Sequence, residues 1–151
     1  MISQICYTSK STITKDLLLT DLIDIMTSAR HFTYKNGISG FLYYANGYFF
    51  ECLEGKTEAL RPLLTRLLES ETRHCEIQMF EQKRIKRAFF ADWSMLYISK
   101  RSQLNTFCKA NGFDLMQPQY FQQENVNKLI QFVATEFENI QKIENLDSKA
   151  Q

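Results

Sequence analysis

Ile38-Ser39-Gly40-Phe41-Leu42-Tyr43-Tyr44-Ala45, then Asn46-Gly47, then Tyr48-Phe49-Phe50-Glu51-Cys52-Leu53: residues 38–53 decide the architecture. The first run is rich in aromatic and branched side chains and reads as a strand. Asn-Gly supplies the two positive-φ positions that a type I′ turn requires. The run after it is the return strand. The stretch is therefore a hairpin, closed by Glu54-Gly55.

Working outward, Ser3 to Ser9 is a short strand. Thr12 to Lys15 is a polar break in which Thr14 can cap a helix. From Asp16 to about His31, Leu18, Leu19, Leu22, Ile25, Met26 and Ala29 recur at helical spacing. Asp16 and Asp21 lie early and Arg30 late, which suits the helix dipole. Thr33 to Gly37 is a polar connection into the hairpin. Beyond it, Glu58 to Glu69 predicts a second helix through Leu60, Leu63, Leu64, Leu67 and Leu68. Pro62 cannot donate to the helix ladder, so the helix starts late or bends there. Cys75 to Gln82 predicts a fourth strand, Ile85 to Asp92 a connection with basic pairs, and Trp93 to Ser99 a fifth strand.

The sum is β-α-β-β-α-β with one further strand: an α+β, ferredoxin-like sheet with two helices on one face. Residues 101–111 and 124–143 predict two more helices. Leu129, Ile130, Phe132, Val133 and Phe137 form an apolar set on the last of them. These helices cover the other sheet face or present a stripe to a partner. The aromatic stretch Phe113 to Phe121 is likewise an interface or a packing element. The expected division is a domain over 1–100, a helical cap over 101–143 and a disordered tail over 144–151.

Bulk properties narrow the function classes. At 151 residues and 44% hydrophobic, the chain can bury one ordinary core. A formal net charge of +1 gives no global case for binding nucleic acid or a membrane surface. No apolar run approaches the length of a membrane span. The start, Met1-Ile2-Ser3-Gln4, does not read as a signal peptide, so a cytoplasmic location is expected. Cys6, Cys52, Cys75 and Cys108 are widely spaced without zinc-like intervals and read as buried or half-buried free thiols. No phosphate-binding loop, dinucleotide fingerprint, nucleophile elbow or zinc-protease motif occurs, so the chain is not expected to be an enzyme.

One constellation remains. The first and third strands are central in a ferredoxin-like sheet, which makes Tyr7 and Glu51 neighbours. A carboxyl between Phe50 and Cys52 is costly if buried without a partner. The pattern alone leaves two readings: Glu51 on an open sheet face with Tyr7 in the core, or the two paired at a site with Trp93 and Met95 nearby.

Several blocks also resemble a known family. They are Tyr7 with Ser9; Asp21-Leu22 with Asp24-Ile25; Asn36-Gly37-Ile38-Ser39-Gly40-Phe41-Leu42-Tyr43; Gly47-Tyr48-Phe49-Phe50 with Cys52-Leu53-Glu54-Gly55; Arg73-His74; and Asp92-Trp93-Ser94-Met95. In that order and spacing, over roughly residues 2–99, the chain resembles BLUF domains, blue-light sensors that use FAD. The resemblance implies FAD, with FMN as the alternative, inserted between the first two helices. Ile25 and Leu67 would clasp the ring, Phe32 and His74 would lie near its edges, and Arg66 and Arg30 would meet the phosphates. It implies a switch in which blue light drives electron and proton transfer from Tyr7 to the flavin. A third-strand glutamine relays the proton and rearranges, and Trp93 and Met95 carry the change to the C-terminal helices. An unidentified downstream signalling protein and homo-oligomer formation are the implied partners.

The chain departs from the family pattern twice. The relay glutamine is Glu51, either a natural feature or a Gln→Glu substitution. A neighbouring asparagine that contacts the ring is Thr33. A primary amide offers donors and an acceptor, whereas a carboxylate only accepts. Away from water the Glu51 pKa is expected to rise, and a neutral acid could both donate and accept. The alternatives are a module with altered or lost photoswitching, which binds flavin or partners without a light response, and a flavin-dependent monooxygenase on the same fold.

Overall fold

Asn46 and Gly47 both adopt positive φ, 51° and 84°, so the hairpin closes through the left-handed turn that its sequence requires. It joins β2 (Ser39–Ala45) to β3 (Tyr48–Gly55). The computed structural model describes residues 1–69 and 71–140. The remaining elements are β1 (Ile2–Ser11), α1 (Leu18–Lys35), α2 (Thr57–Glu69), β4 (His74–Met79), β5 (Lys83–Ile85), β6 (Trp93–Leu96), α3 (Gln103–Ala110) and α4 (Gln123–Glu136). Short 3-10 turns lie at Lys15–Leu17, Pro118–Tyr120 and Phe137–Asn139.

The sheet order is β4-β1-β3-β2-β6, with β5 also paired to β1. Strand β1 is long enough to hold β5 opposite Ile2–Gln4 and β4 opposite Tyr7–Ser11. Every pairing is antiparallel except β2 with β6. The fold is the expected α+β plan with β1 and β3 at its centre, and it carries a sixth strand. β5 escapes a pattern reading because two of its three residues, Lys83 and Arg84, are charged and its edge position needs no alternation.

Other boundaries also differ from expectation. α1 runs on to Lys35, through residues that read as a connection, until Gly37 turns left-handed at φ 65°. The Asn36 side chain donates to Phe32 O at 2.8 Å and caps that end. Thr14 stands before the 3-10 turn but makes no side-chain capping bond. α2 starts at Thr57 and runs through Pro62, so it does not start late. β6 ends at Leu96, and α4 ends at Glu136, short of the expected 143. The expected tail over 144–151 lies outside the described residues.

Alternating side chains on the strands build two cores. Ile5, Leu42, Phe49, Leu53 and Met95 face α1 and α2, against Ile25 and Leu60. Cys6, Phe41, Tyr43, Phe50 and Leu96 face the opposite way. There they meet Val126, Leu129, Ile130, Val133 and Phe137, the i, i+3, i+4, i+7 stripe of α4 and its end. The C-terminal helices thus cover the second sheet face. Phe113 and Phe121 pack there as well, with Phe121 5.8 Å from the Phe50 ring, so the stretch from 113 to 121 is largely a packing element. Cys6, Cys52 and Cys108 are buried, Cys75 is half-buried, and all four are free thiols.

Candidate functional site: a cleft between the first two helices

A lateral row of side chains crosses the sheet on the α1/α2 face: Met79, Tyr7, Glu51, Leu42 and Met95 are successive register partners. The pairing of β1 with β3 sets Tyr7 opposite Glu51, as the ferredoxin-like order requires. Tyr7 Oη donates to Glu51 Oε1 at 2.6 Å. From β6, Trp93 Nε1 donates to Glu51 Oε2 at 3.2 Å. Glu51 therefore bridges three strands through its two oxygens. Trp93 is only 4% exposed, and its indole N–H faces the bridge rather than solvent.

Above this row α1 and α2 flank a narrow cleft of about 100 Å³, open to solvent. Ile25, Ala29, Phe32 and Thr33 line it from α1. Leu63, Leu64, Arg66 and Leu67 line it from α2. The leucines are only half-buried, which leaves aliphatic walls facing each other across a gap. Tyr7, Leu42, Glu51 and Leu53 form the floor, and Glu71, Arg73 and His74 close one end.

Burial sets the electrostatics. The Glu51 carboxyl is pushed up to about 7 by loss of water, although the bonds from Tyr7 and Trp93 oppose the shift. The Tyr7 phenol is raised well above its usual value by burial and then by Glu51, so it is neutral and keeps its proton. His74 is pushed down to about 4 by burial and is neutral near pH 7. Its Nδ1 is 2.6 Å from Ser9 Oγ, and its ring lies 4.4 Å from Phe49 and edge-on to Tyr7. Arg73 grips Glu71 with two nitrogens at 2.8 and 3.1 Å and reaches Asp24 on α1 at 2.9 Å. That grip holds the Glu71 carboxyl down at about 2.

The donor set fits a flavin. A flat heterocycle with apolar faces and polar edges needs facing aliphatic walls, hydrogen-bonding groups on one rim and a cation for its phosphates. Of the cleft lining, Ile25 and Leu67 would supply the walls, Glu51 and the lone pairs of Thr33 the rim, and Arg66 the cation. Thr33 is buried, and its hydroxyl proton is committed to Arg30 O at 3.2 Å, so it has no proton left to give the cleft.

Of the residues expected at a flavin site, Tyr7, Ile25, Phe32, Thr33, Glu51, Arg66, Leu67 and His74 all line this cleft. Trp93 and Met95 are buried beside it. Arg30 is the exception: it is exposed and does not line the cleft. Five residues on from Ile25, it is turned about 140° around the helix from the cleft wall. The Glu71–Arg73 clasp is the main feature that pattern reading missed. Its signal is the acid-x-base spacing just before His74.

Among the described residues no helix is long and apolar enough to cross a membrane. The family model described as "BLUF: Sensors of blue-light using FAD" matches residues 2–96. The fold matches BlsA in its photo-activated state at 34% identity and a TM-score of 0.76, covering 89% of this chain and 95% of that one. It matches dark-state BlrB, a BLUF protein, at 27% identity and a TM-score of 0.72, covering 89% and 96%. A bacterial light-regulated adenylyl cyclase shares the fold at 22% identity and a TM-score of 0.58, with 91% of this chain covering 35% of that one. Among curated proteins none matches the chain. On the family match and the likeness to BlsA, this chain belongs to the BLUF family of flavin-dependent blue-light sensors.

Proposed function

We propose that the chain is a short light receptor whose switch is the Tyr7–Glu51–Trp93 bridge, with residues 1–100 binding flavin and 101–143 forming the output cap. The observation that carries this reading is the shared carboxyl, held at 2.6 Å by Tyr7 and 3.2 Å by Trp93 on the floor of the cleft between α1 and α2. FAD is the favoured cofactor on the family's description and FMN is the alternative; Arg66 at the cleft wall would meet a phosphate of either. When bound, the flavin supplies blue-light absorption and, once excited, the capacity to take up an electron and a proton.

The chain's own residues do the rest. Ile25 and Leu67 orient the ring and keep water from its faces, with Phe32 and His74 at its edges. Tyr7 holds its proton toward Glu51 Oε1. Glu51 titrates close to neutrality, so it can take a proton at one oxygen and release one at the other. An amide needs a tautomer or rotamer change to do the same. A change in Glu51's protonation alters what Trp93 donates to, and so reaches β6 and the helices beyond it. Output then passes to an unidentified downstream signalling protein or through homo-oligomer formation in the cytoplasm, without catalysis by this chain.

A second reading is favoured by one observation. Glu51 lacks the amide, and Thr33 has spent its donor on α1, so the module could bind flavin without switching. The visible absorption spectrum in the dark and under blue light separates the two. A flavin spectrum that shifts slightly to the red and reverts in the dark supports switching through Glu51. A flavin spectrum that stays fixed, or only bleaches, supports the light-blind module. If no protonated-carboxyl infrared band is present near neutral pH, or if Glu51→Gln leaves it unaltered, Glu51 is not the relay.

A further inference from the structure

Trp93 is the chain's single tryptophan, and it sits at the start of an edge strand that, among the described residues, pairs with β2 alone. Something beyond that ladder must fix where β6 begins. The segment before it, residues 86–92, is exposed except at Phe90. Two contacts fix its path. Gly40 N donates to Asp92 O at 3.0 Å. The other is Glu54, three residues along β3 from Glu51 and on the opposite face of the sheet.

Glu54 is 1% exposed, yet it has no cationic partner among the described residues. Its Oε1 accepts from the backbone N–H of Phe89 at 2.8 Å and of Phe90 at 3.1 Å. Its Oε2 accepts from Gln4 Nε2 at 2.9 Å. A carboxylate is suited to this task, because it only accepts and three donors converge on it. The same grip seats the Phe90 ring against Phe41 and Phe137, each 5.2 Å away. From Phe90 only two residues separate the anchor from Trp93. One strand thus carries both ends of the linkage: Glu51 receives the indole, and Glu54 fixes the backbone from which the indole hangs.

We infer that Glu54 is a positioning residue for the photosite: by holding the Phe89 and Phe90 amides it keeps Trp93 inside the sheet and within reach of Glu51. The inference rests on the proposed switch only in its second readout, since the first is made on flavin-free protein.

The experiment uses the full chain with Glu54→Ala, Glu54→Gln and Gln4→Leu. Circular dichroism verifies that each variant is folded, and emission from Trp93 is recorded without flavin. Glu54→Ala is expected to shift the emission to longer wavelength and to raise acrylamide quenching, as the indole leaves its buried seat. Glu54→Gln keeps an acceptor for the two amides and is expected to restore the parent emission. Gln4→Leu removes the third bond alone and is expected to leave the emission unchanged. In flavin-loaded protein, Glu54→Ala is then expected to change the dark-recovery rate while Glu54→Gln does not. If Glu54→Ala is folded and less heat-stable but keeps the parent emission and quenching, Glu54 is only structural and the inference fails. If Glu54→Ala does not fold, Glu54→Asp keeps the charge but shortens the reach by one methylene, and a parent-like emission from that variant overturns the inference equally. A light-blind protein with the expected emission changes would sink the proposed switch and leave this inference standing.

Discussion

One strand, β3, serves two unlike faces of the same sheet. On the C-terminal side, Phe50 is fully buried among Phe41, Tyr43, Phe80 and Phe121. That face is closed by α4 and leaves little to rearrange. On the other side, Glu51 opens onto a cleft with half-buried leucines and a carboxyl that titrates near neutrality. The two carboxylates of the strand show the same contrast. Glu54 is held by two backbone amides and a glutamine, and Glu51 by the side chains of Tyr7 and Trp93. Stability is thereby concentrated on one face and adaptability on the other.

The sharpest way to break that comparison is to truncate each face. Phe50→Ala is expected to cost about 3–5 kcal/mol, as for other fully buried aromatics. Leu67→Ala, at the half-exposed wall, is expected to cost about 1 kcal/mol but to weaken flavin binding. Urea unfolding and flavin titration of both variants measure this, and equal losses of stability would mean that the cleft wall is ordinary core.

The next effect is on pH dependence without flavin. Glu51 has a folded pKa of about 7 against an ordinary 4.5, so its stabilising contribution is present at low pH and is lost as pH rises through 7. His74 runs the other way: with a folded pKa of about 4 against 6.5, its contribution is present above 6.5 and is lost as pH falls toward 4. Between pH 4.5 and 6.5 the two slopes oppose each other, and Glu54, also raised by burial, acts in the same direction as Glu51. Glu51→Gln removes one slope, so its stability is expected to fall with acidification over that window, by about 3 kcal/mol at most. Thermal melts across pH check the sign, and a variant profile that falls no more steeply on acidification than the parent's would mean that Glu51 is not raised by burial.

The smallest effect is expected at Arg66. Replacing it with Ala is expected to weaken FAD by about 1 kcal/mol, several-fold in Kd, and to leave riboflavin unchanged. Equal loss for both ligands would place Arg66 at the ring rather than at the phosphates.

Much of this was legible in the residues, for identifiable reasons. The hairpin and the amphipathic helices follow from turn chemistry and apolar period, and the family blocks include Tyr7, Ile25, Leu42, Leu53, Arg73 and His74 of the cleft lining. What stayed hidden lacks a local signature. β5 is short and charged. The polar end of α1 is kept helical by Asn36 capping rather than by an apolar stripe. Arg30 reads as a phosphate ligand until the helix phase turns it away from the cleft. Glu54 looked like the close of a hairpin, because its three donors lie 35 to 50 residues away in sequence. The orientation of Trp93 could not be read at all without the β2–β6 register.

The hairpin tip has a consequence for how the chain assembles. Asn46 takes the left-handed turn position, and its side-chain amide also donates to Met116 O at 2.7 Å, across 70 residues of sequence. The turn needs only its neighbours, but that bond must wait until the intervening chain has closed its loop. Asn46→Gly is therefore expected to keep the turn and leave the folding rate nearly unchanged, while removing the bond to Met116 speeds unfolding.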